Sequence, residues 1–67
     1  MDKNTLKGKW KQMSGAVKKQ WGKLTDEDLT RAQGDVDMLT GVLQERYGYE
    51  KEKARKEVED WMASLKD

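Results

Sequence analysis

The lysines of the first 24 residues are the strongest candidates for chemistry, because clustered lysines can contact phosphate groups. This segment holds seven lysines and one acidic residue, a net charge of +6, whereas residues 25–67 carry a net charge of −5. On a helix through this segment, Lys7, Lys11 and Lys18 fall within one narrow strip, and a basic strip is the electrostatic footprint of nucleic-acid binding. The alternative is that the basic segment packs beside the acidic remainder, which the total net charge of +1 favours.

Residues suited to catalysis are few. The chain has no histidine and no cysteine, which excludes the usual proton shuttle, the usual zinc ligands and Cys- or His-based nucleophiles. Carboxylates such as Glu57 and Asp60 lie among lysines on a predicted solvated helix face, whereas general acid–base catalysis needs a desolvated carboxylate in a pocket. We therefore predict that the protein is not an enzyme and has no catalytic, cofactor-binding or metal-binding residues.

Two aromatic features offer other routes to nucleic acid. Trp10, Trp21 and Trp61 could stack on the bases of a single strand, but each falls on an apolar helix stripe and is expected in the core. The stretch YGYEKEKA at residues 47–54 resembles the turn of helix-hairpin-helix DNA-binding motifs. Glu50 replaces the second glycine of that turn, and its carboxylate repels the phosphate that the glycine N–H would bind.

Apolar residues recur at intervals of three and four along four segments of the chain, which predicts four helices. Proline is absent and no β alternation occurs, so the predicted fold class is all-α. We place the helices near residues 4–21, 26–33, 35–47 and 51–65. The residues expected in the core are Trp10, Val17, Leu39, Leu43, Val58 and Trp61.

Capping residues define the predicted helix ends. Asn4 or Thr5 is the expected N-cap of the first helix, and Thr25, which precedes three acidic residues, is that of the second. Gly22 and Gly48 are expected in the left-handed conformation just after the first and third helices, where glycine has no steric penalty.

The six glycines fall on a seven-residue interval in two stretches, residues 8–22 and 34–48. A shift of 26 residues aligns these glycines and the apolar stripes with one another. This alignment predicts an approximate internal duplication, with one α-hairpin at about residues 4–33 and a second at about residues 35–65.

Gly15 and Gly41 lie in the middle of predicted helices, on the face opposite the apolar stripe. Each costs about 0.5–1 kcal/mol of helix stability relative to alanine. We interpret them as relics of the duplication; the alternative is a flat surface that a partner backbone approaches closely. The candidate interaction surface therefore consists of Lys7, Lys11, Lys18, Gly15 and Gly41.

Several motifs together carry a resemblance to a known family. They are GKWKQ at residues 8–12, QWGKLTDED at residues 20–28, the repeated G-x6-G spacing, and QERYGY at residues 44–49. From about residue 10 to 61 the chain resembles the CsbD-like family of small bacterial stress proteins, in its YjbJ-type branch. The resemblance implies a general stress-response protein of unassigned biochemical activity, no catalytic residues, and two orthogonally packed α-hairpins similar to SAM-domain-like folds.

Composition completes the set of expectations. The chain has 67 residues, of which 40% are charged and 34% hydrophobic, so we expect one small domain over residues 1–67. The absence of cysteine predicts a cytoplasmic protein, and the absence of any long apolar run predicts that it has no membrane span. We also expect a monomer, whose partner would be a protein or a nucleic acid bound through the basic first helix. We expect a non-catalytic protein that acts by interaction or as an abundant protectant. The alternative is weak association with DNA or RNA through the basic first helix.

Overall fold

A computed structural model describes residues 2–65, and within this range the chain forms five helices and no strand. The predicted all-α class is confirmed. None of these helices is long and apolar enough to cross a membrane. The helices are α1 (Lys3–Gly8), α2 (Trp10–Gln20), α3 (Asp26–Ala32), α4 (Val36–Tyr47) and α5 (Lys51–Ser64).

The N-terminal helix differs from the prediction because it is interrupted at Lys9. The backbone of Lys9 has φ −109° and ψ 19°, outside the helical region, although its N–H still donates to the carbonyl of Thr5 at 2.9 Å. Gly8, which precedes the break, is among the poorest helix formers, and breaks of this kind commonly occur at glycine. The expected single helix over residues 4–21 is therefore wrong. The expected N-cap is also wrong, because the side chain of Asp2 accepts the Thr5 N–H at 2.8 Å.

The ends of the other helices confirm two of the predicted caps and contradict one. Thr25 caps α3 in a reciprocal pair with Asp28, and Gly48 ends α4 with φ +71°. Gly22 is not left-handed; α2 ends before it, and its C-cap is Trp21, with φ −123° and ψ 88°. The reason is tertiary, since Trp21 leaves the helix and enters the core, where it is 2% exposed.

One apolar cluster joins all five helices. Of the residues expected in the core, Val17, Leu39, Leu43, Val58 and Trp61 are buried. Trp10 is the exception, because it is only half-buried and packs at the margin of the cluster. In the centre, the rings of Trp21 and Trp61 meet edge to face with centroids 5.5 Å apart, a favourable geometry for aromatic pairs.

Helix packing is uneven between the two halves of the chain. α4 lies against α5 over the largest helix–helix contact, and next against α3, whereas α2 touches α3 much less. The chain leaves the helical conformation between α2 and α3 and again between α4 and α5, as predicted. The orthogonal, SAM-domain-like arrangement of two hairpins and the single domain over residues 1–67 stay predictions.

Candidate interaction surface

The three candidate lysines lie on two helices rather than one. Lys7 belongs to α1, whereas Lys11 and Lys18 lie on α2, and all three are exposed. The break at Lys9 separates Lys7 from the helical register of the other two. Lys11 and Lys18 therefore share one helix, whereas Lys7 lies on another and lines a cleft between α1 and the start of α4.

Ion pairing separates Lys18 from the other N-terminal lysines. Its Nζ lies 2.7 Å from Oδ1 of Asp26, the first residue of α3. Within residues 2–65, no other lysine of the basic segment has a carboxylate oxygen within 4.0 Å. The remaining ion pairs join residues from α3 onward. Packing of the basic segment against acidic residues thus accounts for Lys18, while Lys7 and Lys11 point their charge to solvent.

A groove of about 390 Å³ runs between α2 and α3. Trp10 and Leu29 supply its apolar lining, and the Trp10 ring N–H donates to the Leu29 carbonyl at 3.0 Å. The polar lining consists of Lys11, Ser14, Asp26, Thr30 and Gln33. The groove is therefore an amphipathic surface at the edge of the basic segment.

A smaller cleft of about 200 Å³ lies between α1 and the start of α4. Lys3 and Lys7 line one part of it, and Asp35 and Asp37 line another. The Asp35 side chain already accepts the Met38 N–H at 3.0 Å as the N-cap of α4. Because the two carboxylates offset the two lysines, this cleft does not favour an anion.

The glycines differ in how closely other atoms approach them. A Cβ added at Gly15 or Gly41 would have no atom within 4 Å beyond its own helix backbone and chain neighbours. At Gly34, which has φ +78°, an added Cβ would lie 2.8 Å from Cα of Lys7 and 3.1 Å from the Leu6 carbonyl oxygen. The close backbone approach that we considered for Gly15 and Gly41 occurs within the chain at Gly34.

The open space around Gly15 and Gly41 predicts that alanine at either position stabilises the protein. Gly15→Ala and Gly41→Ala should each raise the free energy of unfolding by about 0.5–1 kcal/mol, because alanine is the better helix former and meets no neighbour. Thermal melts measure the stability, and sedimentation at two concentrations measures the mass, which we expect to stay that of a monomer. A loss of stability at both positions would contradict this interpretation of the two glycines.

Within residues 2–65, Asp28 makes the most side-chain polar contacts, whereas the sequence indicated it only as one of the three acidic residues that follow Thr25. Its carboxylate is 3% exposed and accepts from Nε of Arg46 at 2.7 Å and from Nη2 of Arg46 at 2.9 Å. It also accepts from the Thr25 N–H at 3.1 Å and from Arg31, which in turn reaches Glu45. These bonds fasten α3 to α4.

The same contacts control the protonation of Asp28. The two-nitrogen contact from Arg46, followed by the Thr25 N–H, holds the pKa of Asp28 well below its usual 3.8, although burial opposes this shift. Asp28 is therefore ionised at neutral pH and is fully occupied by structural partners. A carboxylate in this state is unsuited to general acid–base catalysis, which needs a pKa near the working pH.

The lowered pKa of Asp28 predicts an acid-dependent loss of stability. Its contribution is complete above the unfolded-state pKa of about 3.8 and declines as the pH falls below that value toward the lower folded-state pKa. Urea unfolding of wild type and of Asp28→Asn, from about pH 6 down to about pH 2.5, measures this decline. The difference between the two proteins should be constant above about pH 5 and narrow below about pH 4. A difference that stays constant to the lowest pH would contradict the prediction.

Aromatic side chains pack at the connection between α4 and α5. The Tyr47 and Tyr49 rings stack with centroids 5.2 Å apart, and Nζ of Lys53 lies 4.9 Å from the Tyr49 centroid. Glu50 is the exposed N-cap residue of α5, and its side chain makes no capping hydrogen bond. Tyr49 therefore packs against Tyr47, the last residue of α4.

Comparison with known proteins identifies the family. A sequence model described as CsbD-like matches residues 4–56. The UPF0337 protein YjbJ of Escherichia coli strain K12 is 57% identical over 61 residues, which are 91% of this chain and 88% of that protein. The UPF0337 protein PA4738 of Pseudomonas aeruginosa is 52% identical over 65 residues, which are 97% of this chain and the full length of that protein. The chain belongs to the CsbD-like family.

Family membership confirms the resemblance that the sequence motifs suggested. A third CsbD-like relative, the UPF0337 protein ECA0631 of Pectobacterium atrosepticum, is 59% identical over 61 residues, which are 91% of this chain and 88% of that protein. The names of these relatives state no activity. Within residues 2–65 of this CsbD-like chain, no group of three or more acidic side chains is placed to hold a metal ion.

Proposed function

We propose that this CsbD-like chain is a non-catalytic general stress-response protein of the bacterial cytoplasm, acting by interaction or as an abundant protectant. The proposal rests on Asp28, which has the one carboxylate that the fold buries within residues 2–65. This carboxylate is already bound by structural partners. Two arginines and the N–H of the α3 N-cap residue donate to that carboxylate. Asp28 is as buried as a catalytic acid would be, but its role is structural. The stress-response assignment rests on membership of the CsbD-like family.

Survival of a deletion strain tests the proposal. Removing the gene from its native bacterium should lower survival after stationary phase or osmotic shock, and wild-type protein supplied at its normal level should restore survival. A triple variant, Lys7→Gln, Lys11→Gln and Lys18→Gln, separates the two modes of action. It should restore survival if abundance alone protects, and fail to do so if the basic surface binds a partner. No loss of survival on deletion, under any of these stresses, contradicts the stress-response proposal.

A second candidate function is weak association with DNA or RNA. It is supported by the exposure of Lys7 and Lys11, which have no carboxylate partner within residues 2–65 and lie in the segment of net charge +6. Pull-down from stressed cells, with and without nuclease, distinguishes the two candidates. Nuclease should release the co-purifying material only if nucleic acid is the partner.

Salt dependence gives a quantitative prediction for this second candidate. The logarithm of the affinity for DNA should fall linearly with the logarithm of the salt concentration, because phosphate contacts release counterions. Lys7→Gln or Lys11→Gln should each reduce the slope by about 0.7–0.9, whereas Lys51→Gln on α5 is a matched control that should leave the slope unchanged. Titration of labelled duplex and single-stranded DNA at two salt concentrations measures both. Absence of binding at the lower salt concentration contradicts the candidate.

A further inference from the structure

We propose that the groove between α2 and α3 binds single-stranded nucleic acid, with one base held against Trp10 and the neighbouring phosphates contacted by Lys11. The inference rests on the second candidate function and adds to it a site, a strand preference and a means of base contact. A single strand is the form that fits, because its bases are free to enter a groove whereas those of a duplex are paired and stacked.

Trp10 differs from the other two tryptophans in its surroundings. Trp21 and Trp61 are 2% and 7% exposed and pack against each other in the core. Trp10 is half-buried and lines the groove, while its ring N–H is fixed to the Leu29 carbonyl at 3.0 Å. An indole held in place at its polar edge and partly open to solvent is suited to contact an incoming base without first being ordered.

Gln33 contributes both a strained backbone and a polar side chain to the groove lining. Its backbone is left-handed, with φ +51°, and it is the one non-glycine residue with positive φ within residues 2–65. The corresponding C-cap of α4 is a glycine, Gly48, which adopts this conformation without strain. Strained backbone of this kind concentrates at binding sites. The Gln33 side chain lines the groove, where its amide can donate to and accept from the polar edge of a base.

The charges around the groove favour a polyanion. Lys11 lines it, and the exposed Lys9 immediately precedes α2 in the chain. Asp26 is the one carboxylate among the lining residues, and Lys18 pairs with it at 2.7 Å. Ser14 and Thr30 donate their hydroxyl hydrogens to backbone carbonyls, so their oxygens can accept from an N–H group of a base but cannot donate to a phosphate. The base is therefore met by indole and amide groups and the backbone by lysine.

The wild-type protein provides the first test. Its three indole N–H groups should give separate signals in an ¹⁵N–¹H spectrum. Adding an oligodeoxythymidylate of about 12 nucleotides at low salt should shift the Trp10 signal and leave Trp21 and Trp61 in place. The same sequence as a duplex, and inorganic polyphosphate of equal charge, are the controls. An equal Trp10 shift with polyphosphate would overturn the base contact and leave only phosphate binding.

Variants provide the second test and do not depend on a weakened fold. Gln33→Gly should raise the melting temperature, because glycine relieves the left-handed strain, and yet weaken single-strand affinity about threefold or more. Gln33→Asn, which tolerates this conformation and keeps the amide, should recover part of the affinity. Lys11→Gln should weaken binding, whereas Lys19→Gln, on α2 but outside the groove lining, should weaken it less.

The outcomes separate the groove from the wider function. Binding of single strands that neither moves the Trp10 signal nor responds to Gln33→Gly would overturn the groove and retain the nucleic-acid candidate. Absence of binding to both oligonucleotide forms at low salt would overturn both.

Discussion

Replacing Gly34 with alanine should lower the free energy of unfolding by about 2–4 kcal/mol, which is a large share of the stability of so small a domain. Two costs add at this position. An alanine with φ near +78° brings its Cβ too close to its own backbone. The same Cβ would lie 2.8 Å from the Lys7 Cα and 3.1 Å from the Leu6 carbonyl oxygen. Backbone atoms cannot rotate aside as a flexible side chain can, so α1 must move away from the α3–α4 turn.

Gly48→Ala is the matched control for this prediction. Gly48 has a similar φ of +71°, but an added Cβ there meets nothing within 4 Å. It should therefore lose only the conformational part, about 1–2 kcal/mol. Urea and thermal unfolding of both variants measure the two losses, and their difference is the contribution of the close approach between α1 and the turn. Equal losses at the two glycines would show that this approach does not limit stability.

Replacing Asp28 with asparagine should lower the free energy of unfolding by about 2–3 kcal/mol at neutral pH. The asparagine amide can offer one acceptor oxygen where the carboxylate offers two, and its NH₂ group would face the Arg46 guanidinium, donor against donor. The two arginines are themselves 43% and 46% exposed, so water replaces part of the lost interaction and holds the loss below that of a fully buried pair.

Asp26→Asn controls for the loss of a carboxylate from the same helix. Asp26 is 86% exposed and pairs with Lys18 alone, so its replacement should cost less than about 1 kcal/mol. A double-mutant cycle with Arg46→Gln should give a coupling energy between residues 28 and 46, because each side chain is the main partner of the other. A loss for Asp28→Asn no larger than that for Asp26→Asn would contradict the structural role of Asp28.

Features that depend on residues within one helical turn could be predicted from the sequence. The Thr25 cap of α3 and the Gly48 stop of α4 are local, since the bonding groups are three or four residues apart. The same holds for the apolar stripes, whose spacing identified Val17, Leu43 and Val58 as buried.

The break at Lys9 could not be predicted in this way. The apolar stripe passes through it without interruption, and the contact between Gly34 and Lys7 joins residues 27 positions apart. Trp10 and Trp21 show the same limitation, because they share one stripe and yet differ in burial. A stripe defines which face of a helix is apolar, whereas burial depends on which other helix covers that face.

The candidate interaction surface could likewise be predicted only in part. The sequence by itself determined the all-helical class, the helix ends set by local caps, the concentration of lysine before residue 25, and the family. Only the tertiary structure decided that Lys18 pairs with Asp26, that Lys11 lines a groove with Trp10, and that Asp28 joins α3 to α4 through Arg46. The two ion pairs and the groove bring together side chains of different helices, and no helical period within one segment relates them, because they meet only when the core packs those helices together.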